Sequence, residues 1–162
     1  MAPILPSDGG SPKPVAAVAI RPIGLEERAD WEPLWKGYQA FYKVVISDET
    51  TAVTWARLHD PAEPMHVLGA YVDGKLCGIV HYLFHRSCWT IGDYCYLQDL
   101  FVAEDARNLG LGRALIEAVK ERARAADASR VYWLTHETNA GARALYDQLA
   151  ERPGFIQYRM LF

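Results

Sequence analysis

The stretch from Tyr96 to Gly112 limits the possible folds of this chain more than any other. Tyr96-Leu97-Gln98-Asp99-Leu100-Phe101-Val102 is a β-rich run, followed after Ala103–Ala106 by Arg107-Asn108-Leu109-Gly110-Leu111-Gly112. An amphipathic helix is expected from Leu111 to about Ala126. Its apolar positions 111, 114, 115, 118, 119 and 125 lie opposite Glu117, Lys120, Glu121 and Arg124. Strand, short polar loop and paired glycines at a helix start admit few architectures. Glycine lets the backbone come close to an anion, and a helix N-terminus offers unpaired N–H groups at the positive end of its dipole. The segment therefore reads as a cradle for a phosphate-bearing ligand. Taken alone, the same glycines also fit a helix start that binds nothing.

Of two common phosphate motifs, one is absent and the other fits weakly. A Walker loop needs Gly-Lys-Ser/Thr, which this chain lacks. A dinucleotide fingerprint needs a third small residue, but position 115 is Leu, and its glycines directly follow their strand, whereas here four residues intervene. At 162 residues the chain suits one domain, expected over 15–162. Residues 1–14, with four prolines, read as a disordered lead-in. A net charge of −3 argues against a nucleic-acid partner. No apolar run reaches the ~18 residues of a membrane span. Cys77, Cys88 and Cys95 are odd in number and form no C-x-x-C, which fits a reducing, cytoplasmic setting.

The rest of the chain supplies a mixed α/β order. Val15–Arg21 reads as a first strand. Asp30 is placed to cap a helix carrying Trp31, Leu34, Trp35, Tyr38, Phe41 and Tyr42 at three- and four-residue spacing. A second helix follows Ser47 or Asp48 and stops at Asp60-Pro61. His66–Val72 and Leu76–His85 form a hairpin through Asp73-Gly74. Tyr94–Val102 is a third sheet strand, Val131–Thr135 a further one, Asn139 opens a helix, and Gly154–Phe162 closes with a last strand. The order β-α-α-β-β-β-α-β-α-β predicts a central, mostly antiparallel sheet flanked by helices.

The pattern Arg107-x-x-Gly110-x-Gly112 resembles the acyl-CoA signature of the GNAT superfamily of N-acetyltransferases, Arg/Gln-x-x-Gly-x-Gly/Ala. The family's second signature is a strand, an Asn at a helix start, then a Tyr. Here Asn139, Ala142 and Tyr146 stand at i, i+3 and i+7, on one side of a helix. Tyr96–Val102 and Val131-Tyr132-Trp133-Leu134-Thr135 are further similar to the spermidine/spermine acetyltransferases and the polyamine/histone acetyltransferase-like group. Gln98 stands where those proteins carry Glu, and an amide cannot take a proton from an ammonium ion.

The resemblance implies a GNAT-like acyl-CoA N-acyltransferase fold and direct transfer of acetyl from acetyl-CoA to a primary amine, a polyamine or other small amine or a lysine side chain. It implies cofactor contacts from Leu100, Phe101, Val102, Arg107, Asn108, Leu109, Gly110, Leu111, Gly112, Arg113, Asn139 and Ala142. Tyr146 would line the cofactor and donate a proton to the departing thiolate. Tyr38, Gln98 and Glu137 are the candidate acceptor contacts. Asp99 has two readings. It is the base or orients the substrate, or it is a buried, hydrogen-bonded structural carboxylate, because alternation sets it opposite Gln98, Leu100 and Val102. His136 and Glu137 are alternative bases. His81 and His85 could mimic a metal pair, but no third ligand is placed and no metal is expected. Family members are often dimers, so a homodimer is expected, with the Phe155–Phe162 strand finishing its own sheet or crossing to a partner. The competing function is a non-catalytic acyl-CoA-binding or sensing module. A dinucleotide-dependent oxidoreductase is a distant third.

Overall fold

The structure, a computed structural model, describes residues 15–162; the expectation for residues 1–14 lies outside the described residues. The elements in chain order are β1 (Val18–Pro22), α1 (Arg28–Phe41), α2 (Asp48–Leu58), β2 (Met65–Val72), β3 (Lys75–His85), β4 (Tyr94–Val102), α3 (Leu111–Ala125), β5 (Arg130–Tyr132) and α4 (Ala140–Leu149). The five strands lie in the order β1-β2-β3-β4-β5. All pairings are antiparallel except β4 with β5. This is the expected mixed α/β architecture. No helix of the described residues is long and apolar enough to cross a membrane.

Local chemistry accounts for the boundaries. Asp73 and Gly74 both take positive φ (47° and 82°), as a two-residue hairpin turn between right-twisted strands requires. Ser47 caps α2 by accepting the Thr50 N–H at 3.0 Å. Asp30 does not cap α1. The helix starts two residues earlier, at Arg28, and Asp30 lies in the first turn, where its charge meets the positive helix end. On α3 the buried residues are Leu111, Leu115, Ile116, Val119 and Ala123, whereas Ala125 is exposed. The true stripe drifts toward Ile116 because the helix turns by 3.6 rather than 3.5 residues.

The sheet separates two cores. One face carries Leu68, Val80, Tyr82, Cys95 and Leu97 against Leu115, Ile116 and Val119 of α3. The other carries Val67, Tyr71 and Ile79 against Trp31, Leu34 and Trp35 of α1 and Trp55 and Leu58 of α2. Gly37 permits the close approach of α1 to β4, since a Cβ there would lie 2.7 Å from the Phe101 ring.

Two expectations fail. Val131–Thr135 shortens to three paired residues, and Gly154–Phe162 forms no strand. Phe155, Ile156, Tyr158, Met160, Leu161 and Phe162 are each 76% or more exposed. A strand exists only against a partner. β5 pairs for only three residues, so within one chain this β-rich tail finds no ladder to join.

Candidate active site

The glycine loop folds as its sequence requires. Asn108 (φ 65°) and Gly110 (φ 75°) occupy the left-handed region, and α3 starts at Leu111. Asparagine and glycine are the residues that tolerate such angles. The first helical bond runs from Ala114 N–H to the Gly110 carbonyl at 3.0 Å. The N–H groups of Leu111, Gly112 and Arg113 are thus the orphan donors of the helix start, and no acceptor among the described residues takes them. Arg107, Asn108, Leu109 and Gly110 are exposed around them. The Arg113 guanidinium bonds to Gln148 of α4 and ties the two helices together.

Beside this helix start the sheet opens. β4 pairs with β5 only at Tyr94–Arg130, Cys95–Val131 and Tyr96–Tyr132. From Leu97 to Val102 the β5 side of β4 has no strand partner among the described residues, which leaves backbone N–H and C=O groups along a free edge. Arg107 Nε approaches the Val102 carbonyl at 3.4 Å. A Cβ on Gly112 would lie 3.9 Å from Leu100 and 3.7 Å from Leu145, so β4, the start of α3 and α4 line one cleft. Such contacts are ordinary, so the fold itself leaves room for a methyl group at Gly112, unlike Gly110 with its positive φ.

Tyr146 of α4 packs half-buried against the α3-side core, with its ring edge on Trp133 at 5.4 Å. Burial first, and the neighbouring Tyr42 phenol second, push the Tyr146 hydroxyl up to about 12. Ala142, on the same helix side, is also half-buried. Asn139 precedes α4, but its amide donates to Thr135 Oγ1 (3.2 Å) rather than receiving a helix N–H. It therefore links the end of the β5 segment to α4.

On the opposite face of β4 lies Asp99, 8% exposed. Both readings of this residue meet here: it is buried and hydrogen-bonded, and it also lines a cavity of ≈ 200 Å³ with Trp35, His81, Gln98 and Met65. His81 Nδ1 lies 3.0 Å from Asp99 Oδ2, and the Trp31 indole N–H donates to His81 Nε2 at 2.9 Å. Desolvation, and then the negative charge of Asp99, hold the Tyr38 phenol well above its ordinary range. Trp35 stacks on Tyr38 (5.3 Å) and Tyr38 packs on Tyr42 (4.9 Å), so an aromatic row runs along α1. The Trp35 indole N–H is buried without a partner among the described residues.

A β-bulge places Asp99 there. His81 pairs with Asp99 and Tyr82 with Leu97, which leaves Gln98 as the extra residue of β4. Cys95 and Leu97 face the α3 core, as do Leu100 and Val102, while Asp99 and Phe101 do not. Asp99 is indeed opposite Leu100 and Val102, but uniform alternation fails at Gln98, which is exposed in the bulge at the cavity rim.

Other candidates are not brought in. Glu137 is exposed outside the cavity wall, its carbonyl accepting from Arg143 at 2.6 Å. His136 stacks on Tyr42 at 6.4 Å. His85 bonds to the Tyr132 hydroxyl (2.8 Å), not to His81. Among the described residues no three His, Cys, Asp or Glu side chains gather as metal ligands. Cys95 is fully buried, and desolvation pushes its thiol up to about 12, which makes it inert. Sequence reasoning read Trp31 and Tyr42 only as members of an aromatic stripe and His81 only as half of a metal pair. The signal that links them, cross-strand register, is absent from local spacing.

Comparison with known proteins shows the family and the fold. The sequence model of the Acetyltransferase (GNAT) family matches residues 31–150. A D-amino-acid N-acetyltransferase, HPA3, of Saccharomyces cerevisiae is 35% identical over 144 residues, covering 88% of this chain and 89% of that protein. A thialysine N-epsilon-acetyltransferase of Caenorhabditis elegans is 29% identical over 101 residues, covering 59% of this chain and 62% of that one. Among solved structures, the aminoglycoside N-acetyltransferase AAC(6')-Iy in complex with CoA superposes with a TM-score of 0.77 at 18% identity, covering 91% of this chain and 97% of that one.

Proposed function

The chain belongs to the GNAT family of acetyltransferases, and we propose that it moves acetyl from acetyl-CoA directly to a small primary amine, with Asp99 as base and Tyr146 as acid. One observation carries the reading. Orphan backbone donors and a proton-bearing phenol lie on one side of the open edge of β4, and a buried carboxylate in an aromatic cavity lies on the other. The strand between them is where the two substrates would meet.

The α3 start fits a diphosphate because its N–H groups of Leu111, Gly112 and Arg113 have no acceptor among the described residues. Asn108, Leu109 and Gly110 shape the loop, and Arg107 and Arg113 add positive charge. The free edge of Leu100, Phe101 and Val102 fits the amide groups of a pantetheine arm, in the manner of an added strand. Asn139 and Ala142 complete the far wall.

An alkyl ammonium has a pKa near ~10.4 and must lose a proton before it can attack. Asp99 accepts that proton inside the cavity that Trp35 helps to wall. The amine then adds to the thioester carbonyl, a backbone N–H of the free β4 edge stabilises the oxyanion, and the carbon–sulfur bond breaks. Tyr146 gives its proton to the departing thiolate. A phenol held at about 12 still carries that proton at neutral pH. Gln98 at the rim can hydrogen-bond the acceptor but not deprotonate it.

The cavity is smaller than the roughly 300–1,000 Å³ of drug-sized sites, which favours a small amine over a bulky one. The exposed apolar tail supports a homodimer, with residues 154–162 covered by a second copy. Mixing acetyl-CoA with a panel of amines, D-amino acids, diamines and a lysine peptide tests the function through thiol release. Turnover is expected on small amines. Tight acetyl-CoA binding with no turnover on any of them would replace the enzyme with a binding module.

A further inference from the structure

Behind the cavity, three buried side chains form a hydrogen-bonded series whose direction is set by chemistry alone. Trp31 in α1 donates its indole N–H to Nε2 of His81 in β3, and Nδ1 of His81 faces Oδ2 of Asp99 in β4. Trp31 is fully buried and His81 is 4% exposed. An indole nitrogen is a donor and nothing else, so Nε2 is the unprotonated nitrogen of the ring. The single proton of a neutral imidazole is then on Nδ1, which donates to the carboxylate. A charged ring would set two N–H donors head to head between Trp31 and His81. The rings of Trp31 (5.8 Å) and Trp35 (5.1 Å) flank the imidazole and fix its plane.

We propose that Trp31 and His81 are positioning residues for the base: the indole selects the Nδ1–H tautomer of His81, and that N–H holds one oxygen of Asp99 so the carboxylate keeps its aim into the cavity. This rests on the reading of Asp99 as the base. The Nε2 lone pair is already occupied, so His81 neither receives the ammonium proton nor passes it inward. The proton that leaves the acceptor's nitrogen stays on Asp99, now a carboxylic acid, until it departs through the cavity mouth, and His81 holds its own proton on Nδ1 throughout. The phenols of Tyr38, Tyr42 and Tyr96 are the titratable groups that feel the Asp99 carboxylate, and each is held above its ordinary range. Tyr38 of α1 lies against Asp99 as an intact phenol, and Trp35 and Met65 complete the wall.

The test combines a direct view of the tautomer with paired variants. Nitrogen-15 NMR of the wild-type protein at neutral pH should show His81 with its proton on Nδ1. A proton on Nε2, or a doubly protonated ring, overturns the proposal without any mutant having to fold. His81→Phe should lower kcat about ten- to a hundredfold with the KM for acetyl-CoA unchanged. His81→Asn, whose side-chain N–H can take the place of Nδ1–H, should recover to within about threefold of wild type. Equal losses in the two folded variants would mean that the histidine only fills space. Asp99→Asn separates this proposal from the reading beneath it. Wild-type turnover in Asp99→Asn removes the base itself. An inactive Asp99→Asn beside a fully active His81→Phe removes the positioning role alone.

Discussion

On the α3 face the sheet packs aliphatic side chains, Val80, Leu97, Leu115 and Val119 among them, and the proposed chemistry there is carried by main-chain groups: orphan amides at a helix start and the free edge of β4. On the α1–α2 face the core is aromatic, with Trp31, Trp35, Trp55 and Tyr71, and the proposed chemistry is carried by the side chains of His81 and Asp99. The difference teaches how each face tolerates change. Backbone recognition needs only a turn of the right shape, so a few residues encode it. Side-chain recognition depends on pairing between distant elements, so it takes residues far apart in the chain to encode it.

If this division is real, variants on the two faces should fail in different ways. Asp99→Asn should cut kcat by about 10²–10⁴-fold while acetyl-CoA affinity by calorimetry stays put. A matching loss of affinity would break the comparison, because Asp99 would then serve both faces. Tyr146→Phe should lower kcat about ten- to a thousandfold, again with little change in cofactor affinity. With its pKa at about 12, the phenol remains protonated through alkaline assays. Wild type should therefore show no loss of kcat from Tyr146 below about pH 11, and a Tyr146→Phe variant that keeps the wild-type rate from pH 6 to 9 would refute the proton-donor role.

The cradle should respond the other way. Gly110→Val forces a β-branched residue to a φ of 75°, a strain of about 1–3 kcal/mol, and turns the orphan amides away from their ligand. Its acetyl-CoA affinity should fall about tenfold or more, and its melting temperature should drop by several degrees. Gly112→Val meets only ordinary contacts at Cβ, so it should weaken the cofactor while the melting temperature moves less than about 4 °C. Equal thermal losses in both would mean that the two glycines serve only the fold.

The two faces were also unequally legible. The Asp73-Gly74 turn, the start of α3 and the cradle loop are local, and each residue's own backbone preference reveals it. The pairing of His81 with Asp99 spans 18 residues and depends on a bulge at Gln98, whose exposure gives no signal in a run as β-rich as Tyr96–Val102. The same limit explains Gly154–Phe162. Its β propensity is real, but propensity does not name the partner. Cutting the chain after Pro153 should shift a homodimer toward monomer in light scattering, with the cradle and cavity residues intact. A dimer that survives the cut would place the contact elsewhere.

The smallest expected effect sharpens the contrast at acid pH. Glu27, just before α1, accepts from Arg21 of β1, the Tyr71 hydroxyl of β2 and the Gly24 N–H, and so ties the aromatic face to the sheet edge. The Arg21 hydrogen bond chiefly, with help from the Gly24 N–H and the Tyr71 hydroxyl, lowers its carboxyl to about 2. The folded pKa is below the unfolded value, so this tie contributes fully above about pH 4.5 and is lost as pH falls toward 2. With Arg21 half-exposed, screening leaves the contribution on the order of 1 kcal/mol. The ion pairs of α3, Glu117–Lys120 and Glu121–Arg124, lie within one helix and tie it to nothing else. Acid should therefore loosen the α1–α2 face before the α3 face. Trp31, Trp35 and Trp55 all report from the first of these, so tryptophan fluorescence should change at higher pH than helical circular dichroism. In Glu27→Gln the gap between the two midpoints should close, because the tie is then absent at every pH. Coincident midpoints in wild type would mean that the two faces unfold as one unit.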